Sequence, residues 1–224
     1  MKTALLLVGL LISTVSWAQQ VIANDNSFSA TVDGKEFKTQ PRRIRIGQYW
    51  WITANATKPD KSLRIWFVDF DNNSVLPKVG KYLVVGEKES NKSLYKKTVE
   101  MGTYVGVAVM KYVEETKEPR MEFHVGNGIQ ENTGVVEVIK SSDGFMEAKF
   151  SAQLEGTYYK EKATATVFGG AGRLIGKMTD KAKTSATGYD YDIDPEGNGY
   201  KKQDTIDKIV VQGTFKLKLG SEEK

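Results

Sequence analysis

Residues 48–70 read Gln-Tyr-Trp-Trp-Ile-Thr-Ala-Asn-Ala-Thr-Lys-Pro-Asp-Lys-Ser-Leu-Arg-Ile-Trp-Phe-Val-Asp-Phe and hold three of the four tryptophans in the chain. A Lys-Pro-Asp-Lys turn at residues 58–61 separates two runs. Because side chains of a strand point alternately to opposite faces, Trp50 and Ile52 share one face of the first run. Its other face carries Tyr49, Trp51, Thr53 and Asn55. The second run is apolar in both phases, as in a central strand covered on both sides. The stretch predicts a β-hairpin in the middle of an all-β domain.

Short alternating runs bounded by turn residues continue along the chain. Asp33-Gly34 is a strong two-residue hairpin signal, and residues 145–155 alternate most clearly. Their predicted inward set is Met146, Ala148, Phe150, Ala152 and Leu154. About a dozen short strands joined by hairpin turns predict an antiparallel β-sandwich, with an up-and-down β-barrel as the alternative. No amphipathic helix of normal length is predicted, and residues 94–99 are interpreted as a weak strand.

The first 18 residues have the features of a secretory signal peptide. Lys2 supplies the charged start, residues 4–12 the apolar run, and Ser16 and Ala18 the small residues before a cut at Gln19. No other apolar run approaches the roughly 20 residues of a membrane span. A cysteine that could carry a lipid is absent. We therefore expect export to the periplasm or the extracellular space, with no lipid anchor and no membrane insertion after cleavage.

Residues 19–224 are predicted to form a single β domain. Residues 158–204 form a long loop-like insert within it, weakly periodic and rich in Gly, Lys, Thr and Asp. So long a stretch without clear elements is either mobile or functional.

Composition excludes several kinds of chemistry. The chain has no cysteine, which removes disulfides, thiolate metal sites and cysteine nucleophiles. Its net charge of +4 is a small surplus of interspersed charges, so nucleic acid is not an expected partner. In the densest basic cluster, residues 42–45, strand phase predicts that Arg43 faces outward.

The single histidine of the chain, His124, is out of phase with its apolar neighbours. It is therefore predicted on the outer face beside Glu122, and no catalytic residue is assigned. Because the separation that matters is spatial, a pair of carboxylates acting as a glycoside hydrolase stays open as a third function.

The side chains that point outward from the first strand of this hairpin predict a ligand-binding surface at Tyr49, Trp51 and Asn55. Aromatic rings stack on the apolar face of a sugar or on a peptide, and the amide supplies hydrogen bonds. This interpretation makes the protein a binding module for a glycan or an envelope protein. In the alternative, the insert or another subunit covers the same surface. The protein is then a structural or interaction domain without a small-molecule ligand.

The most acidic stretch, residues 189–199, suggests a calcium loop. Its alternate carboxylates, Asp190, Asp192 and Asp194, can converge on one ion when the loop curls, because calcium takes about six to eight oxygens. The template of an EF-hand loop fails at Pro195, where a glycine is wanted, and at Lys201, where a glutamate is wanted. The alternative is a solvated turn balanced by nearby lysines.

Several short motifs carry a family resemblance. They are Ala30-Thr31-Val32-Asp33-Gly34-Lys35-x-Phe37, Gly80-x-Tyr82, Asp143-Gly144 with Phe150-Ser151-Ala152, and Gly213-Thr214-Phe215. With these motifs in this order, the chain resembles function-unassigned exported β domains of Bacteroidetes-type Gram-negative bacteria. The resemblance implies an envelope or extracellular β-sandwich and carries no catalytic residues across. The chain departs from the family in two respects, since it lacks the cysteine that many members carry after the signal and has a longer insert.

Overall fold

The computed structural model describes residues 26–46, 49–56, 60–68, 76–87, 90–117, 121–129, 133–142, 144–162, 195 and 200–219. Within these residues the fold is all-β with one short helix. The predicted signal peptide, the cut before Gln19 and most of the predicted insert lie outside them.

Within the described residues, eleven strands and one helix follow one another. The strands are β1 (Ser27–Val32), β2 (Lys35–Thr39), β3 (Pro41–Ile46), β4 (Tyr49–Ala56), β5 (Lys61–Val68), β6 (Gly80–Val85), β7 (Gly106–Lys117), β8 (Glu122–Asn127), β9 (Gly134–Ser142), β10 (Phe145–Glu161) and β11 (Tyr200–Lys218). The helix α1 (Lys92–Glu100) lies between β6 and β7.

All strands belong to one large sheet with the order β2-β1-β11-β10-β9-β6-β7-β5-β4-β3. The short strand β8 lies off this path and pairs with both β10 and β7. The pair β6–β7 is parallel, so the sheet is mixed, whereas the sequence predicted antiparallel strands. Only Gln40 separates β2 from β3, which are the two ends of the order, and Thr39 Oγ1 donates a 2.6 Å hydrogen bond to the Asn55 carbonyl on β4. The two ends of the sheet therefore lie next to each other.

One hydrophobic core lies inside the curved sheet, and we call the side that faces it the inner face. Phe150 stacks between Phe28 on β1 and Phe215 on β11, with ring centroids 5.5 and 6.5 Å away. The predicted inward set of β10 is confirmed, since Met146, Ala148, Phe150, Ala152 and Leu154 are all buried. The predicted Asp33-Gly34 hairpin also forms, and both residues have the positive φ angles that such a turn requires.

Helix α1 corrects the prediction of a weak strand over residues 94–99. The side chain of Asn91 caps the helix, because its Oδ1 accepts 3.0 Å hydrogen bonds from the backbone N–H groups of Ser93 and Leu94. The residues that α1 packs against the sheet recur at helical spacing, namely Leu94, Tyr95, Thr98 and Val99. Four such positions in nine residues are too few to stand out against a strand pattern in the sequence alone.

Strand β3 corrects a second prediction, because Arg43 lies on the inner face. It is in register with Ile52 of β4, and its Cζ atom lies 5.5 Å from the centroid of the buried Trp50 ring. A shift of one residue in register moves every side chain of a strand to the other face. The phase of β3 therefore depends on how it pairs with β4.

Candidate functional site

The first candidate site lies on the outer face of the central hairpin, where two rows of side chains meet. Register pairs Trp51 with Trp66, Thr53 with Arg64, and Asn55 with Ser62. Directly paired residues of neighbouring strands point to the same face. We call these six residues the outer-face site. They include the predicted ligand-binding residues Trp51 and Asn55, whereas the side chain of the third, Tyr49, lies outside the described residues.

Two stacked indole rings form one end of the outer-face site. The rings of Trp51 and Trp66 are nearly parallel, with centroids 5.2 Å apart and planes inclined by 22°. The guanidinium carbon of Arg64 lies 5.9 and 5.7 Å from the two ring centroids, within the range of a cation–π interaction. Trp66 is buried against the cluster that α1 covers, and Trp51 is partly exposed. Part of Trp51 therefore stays accessible, whereas Trp66 does not.

Three polar atoms form the other end of the site. Thr53 Oγ1, Asn55 Oδ1 and Ser62 Oγ are buried, and none of them has a hydrogen-bond partner among the described residues. Thr53 and Ser62 are each 1% exposed. A buried polar atom without a partner costs about 1 to 3 kcal/mol. Three such atoms on adjacent register pairs indicate a place where water or a ligand supplies the missing hydrogen bonds.

A second polar cluster, not predicted from the sequence, lies at one end of the inner face. His124 Nε2 is 2.8 Å from Asp207 Oδ1. The imidazole lies flat on the Tyr158 ring, with centroids 4.2 Å apart and planes inclined by 3°. His124 is 8% exposed, so the prediction that it lies on the outer face is wrong. Because β8 has a strand on each side, Phe123 and Val125 are also buried, and phase alone could not identify the inner side.

Gly156 provides the space for this contact. It lies on β10 between Gly126 of β8 and Asp207 of β11. A Cβ atom at this position would overlap Asp207 Oδ1 and lie 2.6 Å from His124 Nε2. The absence of a side chain lets Asp207 reach across β10 to His124, so that three strands are tied together.

An ion pair continues the cluster on β7. Glu114 lies in register with His124, pairs with Lys61 at 2.6 Å and accepts a 2.9 Å hydrogen bond from the Tyr112 hydroxyl. Burial acts to raise the pKa of Glu114, but the hydrogen bonds from Lys61 and Tyr112 outweigh it and lower that pKa. Burial, reinforced by Glu114, raises the pKa of Tyr112 well above its ordinary value. Burial and the Asp207 carboxylate likewise raise the pKa of Tyr158.

The inner cluster has the residue types of acid–base chemistry, yet its groups are engaged with one another. A glycoside hydrolase needs one protonated carboxyl group and a second that attacks the sugar or activates water. Here Lys61 holds Glu114 as a carboxylate, and His124 engages Asp207. The contacts tie β5, β7, β8, β10 and β11 together, so we interpret the cluster as a structural one. Its sequence signal was weak, because His124 and Asp207 are 83 residues apart.

The predicted calcium ligands Asp190, Asp192 and Asp194 lie outside the described residues. Among the residues that are described, no group of three or more His, Asp or Glu side chains is arranged to hold a metal ion. No helix in the same part of the chain has the length and apolar character needed to cross a bilayer.

Comparisons with known proteins supply no assignment. No family model, curated protein or solved structure matches the chain. Function therefore has to be inferred from the chemistry of the two clusters.

Proposed function

We propose that the protein is an exported binding module that takes a glycan at the outer-face site. One observation carries the proposal. Thr53 Oγ1, Asn55 Oδ1 and Ser62 Oγ are buried and lack partners among the described residues, in the two register pairs that follow the stacked rings of Trp51 and Trp66 on the same face. An aromatic wall with a few convergent polar groups is the usual composition of a small-molecule site.

The chemistry of these groups favours a sugar over a peptide. A sugar ring has an apolar face that stacks on an indole and a rim of hydroxyl groups that both donate and accept hydrogen bonds. The Thr53 and Ser62 hydroxyls can also do both, and Asn55 Oδ1 accepts. A peptide bound along an extended strand would need a free sheet edge, whereas β4 and β5 each have paired strands on both sides.

Export and the finer architecture belong to the same proposal. Residues 1–18 have the composition of a signal peptide, which supports a periplasmic or extracellular protein without a lipid anchor. Strand neighbours far apart in sequence, such as β1 and β11, argue against an up-and-down barrel, in which consecutive strands are neighbours, and the architecture that we propose is a β-sandwich formed by one sheet curved over a shared core. The runner-up function is a structural or interaction domain in which another subunit covers the outer face.

A glycan-array screen on residues 19–224 tests the binding function. We expect at least one glycan class to bind. We expect Trp51→Ala to weaken that binding about tenfold, which corresponds to about 1.4 kcal/mol. Thr53→Val, which keeps the shape and removes the hydroxyl, should also weaken it. Gln153→Ala, at an exposed position on β10, is the matched control and should bind like the wild type.

Thermal melts of all variants show whether a loss of binding reflects a loss of folding. If the folded wild type bound no glycan, the binding function would be rejected in favour of the interaction domain. If folded Trp51→Ala and Thr53→Val bound a glycan as tightly as the wild type, the site would be wrong even though the function held.

A further inference from the structure

Three large apolar side chains are exposed at the end of the molecule where β6 and β7 begin. Val79 is 57% exposed, Ile139 is 55% exposed and Met101 is 63% exposed. Gly80 is in register with Val138 on β9, and Val79 and Ile139 are the next residues beyond that pair on the two chains. These two side chains therefore lie close to each other.

Met101 belongs to the same end of the molecule. It is the C-cap residue of α1, and the chain that follows it returns to the sheet, where the Val105 N–H donates a 2.8 Å hydrogen bond to the Lys81 carbonyl. A Cβ atom on Gly80 would lie 2.7 Å from Val105 Cγ1. The connection from α1 to β7 thus packs against the start of β6. We call Val79, Met101 and Ile139 the apolar tip.

Helix α1 places positive charge next to the apolar tip. One side of the helix packs on the sheet, and the exposed side carries Lys92, Lys96 and Lys97 against one acidic residue, Glu100. None of these three lysines pairs with a carboxylate among the described residues. Lys96 and Lys97 lie about one helical turn before Met101, so two exposed cations flank the tip.

This combination of groups matches an anionic lipid surface. Such a surface offers an apolar layer to side chains that protrude and negative headgroups to lysines, whose hydrocarbon stems can lie along the apolar layer. Two copies meeting tip to tip about a two-fold axis would bring the lysines of both copies together, and like charges repel. An acidic polymer in water would satisfy the lysines but would offer no apolar layer to the tip.

We infer that the apolar tip binds the surface of a bilayer that contains anionic lipids, with Val79, Met101 and Ile139 in the interfacial layer and Lys96 and Lys97 at the headgroups. Exposed apolar side chains with a polar rim are typical of such contact surfaces. The contact is peripheral and needs no membrane-spanning segment. It is independent of glycan binding at the outer-face site on β4 and β5.

The test is co-sedimentation of residues 19–224 with two kinds of vesicle, one of phosphatidylcholine and one of an equimolar mixture of phosphatidylcholine and phosphatidylglycerol. At low salt we expect the protein to bind the anionic vesicles about tenfold or more tightly than the neutral ones. That preference should decrease as salt rises from about 0.01 to 0.15 M, because screening shortens the Debye length from about 30 to about 8 Å.

A pair of matched isoleucine variants locates the apolar contact. Ile139→Thr replaces an ethyl group by a hydroxyl on an exposed strand residue and should weaken binding to anionic vesicles about fivefold. Ile206→Thr makes the same change at another exposed position, 61% exposed on β11. Val138 pairs with Ala148 and Ile206 with Thr157 on the same strand β10, so the control lies roughly 30 Å away along the strand. It should bind like the wild type.

A pair of double variants locates the charge. Lys96→Gln with Lys97→Gln keeps good helix formers and should weaken binding to anionic vesicles about tenfold or more, since each lysine near such a surface strengthens binding about fivefold. Lys202→Gln with Lys208→Gln removes two charges at exposed positions of β11 and should keep most of the affinity. Thermal melts show whether each variant is folded, and Met101→Gln, outside the strands, gives a second test of the tip.

Several outcomes would overturn the inference. Equal binding of the wild type to both vesicles, or to neither, would do so without any variant. A loss with the β11 lysine pair as large as that with the α1 pair would assign the effect to net charge. If Ile139→Thr left vesicle binding unchanged and altered self-association in sedimentation velocity, the tip would be an interface between copies. None of these results bears on the glycan-array test of the outer-face site.

Discussion

At the scale of single residues, Gly156 is the position on which the inner polar cluster depends. The Asp207 carboxylate occupies the space where a side chain of residue 156 would lie, and it meets His124 Nε2 there at 2.8 Å. The space left by the missing side chain is small, but the Asp207–His124 contact that it allows joins β8, β10 and β11. A glycine is needed here for space, since its φ angle is not among the positive ones.

Gly156→Ala should therefore destabilise the protein by about 1 to 3 kcal/mol, the usual cost of overpacking. In an Asp207→Ala background the nearest overlap is removed and only the His124 ring, 2.6 Å from the added methyl group, has to shift, so the same substitution should cost clearly less. Urea melts of the wild type, the two single variants and the double variant give both values. Equal costs in the two backgrounds would show that Asp207 is not what the methyl group meets.

A second residue-scale prediction concerns Glu114 and pH. In the folded protein its pKa lies below the ordinary value of 4.5. The stability that its ion pair contributes is therefore present above pH 4.5 and is lost as pH falls through the folded-state pKa. Glu114→Gln should cost about 1 kcal/mol at pH 7, the upper range for a partly exposed pair, and less at pH 3. Urea melts at both pH values measure the difference, with Glu155→Gln on the exposed side of β10 as the control. A cost that stayed constant or grew at pH 3 would contradict the assignment.

At the scale of elements, helix α1 covers part of the sheet that the strands leave open. Tyr95 and Thr98 are buried, and Leu94 and Val99 pack with Val85, Val107 and Trp66. A helix of nine residues is too short to be stable in isolation. It is held by this contact and by the Asn91 cap.

Asn91→Ala should lower stability by about 1 kcal/mol, because two backbone N–H groups of the first turn lose their acceptor. Asn91→Asp keeps an acceptor at the same place and should change stability by less than about 0.5 kcal/mol. Chemical denaturation of the two variants separates the cap from other effects of the position. If both variants lost the same stability, the cap would not be the cause.

Strand β10 allows the inward and outward faces of one element to be compared at adjacent positions. Phe150→Ala removes a buried ring that stacks on two others and should cost about 3 to 5 kcal/mol. Ser151 is exposed, and Ser151→Ala should cost less than about 0.5 kcal/mol. Equal shifts of the two denaturation midpoints would contradict the assigned faces.

At the scale of the whole molecule, the two ends of the strand order lie side by side, and one core contains side chains from both of them. Phe37 of β2 and Trp50 of β4 belong to the same buried cluster, although their strands are near opposite ends of the sheet order. Such a core can stabilise a chain without disulfides, and this chain has no cysteine to form them.

The export prediction is tested on the native product. Cleavage before Gln19 without lipidation predicts that the intact mass equals that of residues 19–224. Mass spectrometry of the native protein, together with the cell fraction from which it is recovered, measures it. A mass matching the full chain, or one increased by acyl groups, would exclude the proposed location.

Local patterns in the sequence determined much of this protein. Alternation identified the inward residues of β10, and turn residues located the hairpin at Asp33-Gly34 and the connection between the paired strands β4 and β5. Both signals act between residues close in the chain, since side-chain phase in a strand repeats every two residues and a tight turn needs particular residue types. The predicted composition of the outer face, with Trp51, Thr53 and Asn55 on one side of β4, follows from the same short-range rule.

The tertiary structure alone decided the features that depend on partners distant in the chain. Arg43 lies inward because of the register of β3 on β4, and His124 is buried because β7 and β10 flank β8 and Asp207 reaches it across Gly156. The pairing of Arg64 with Lys111 likewise joins strands that are not consecutive. Which strands become neighbours is set by packing of the whole chain, and no local pattern encodes it.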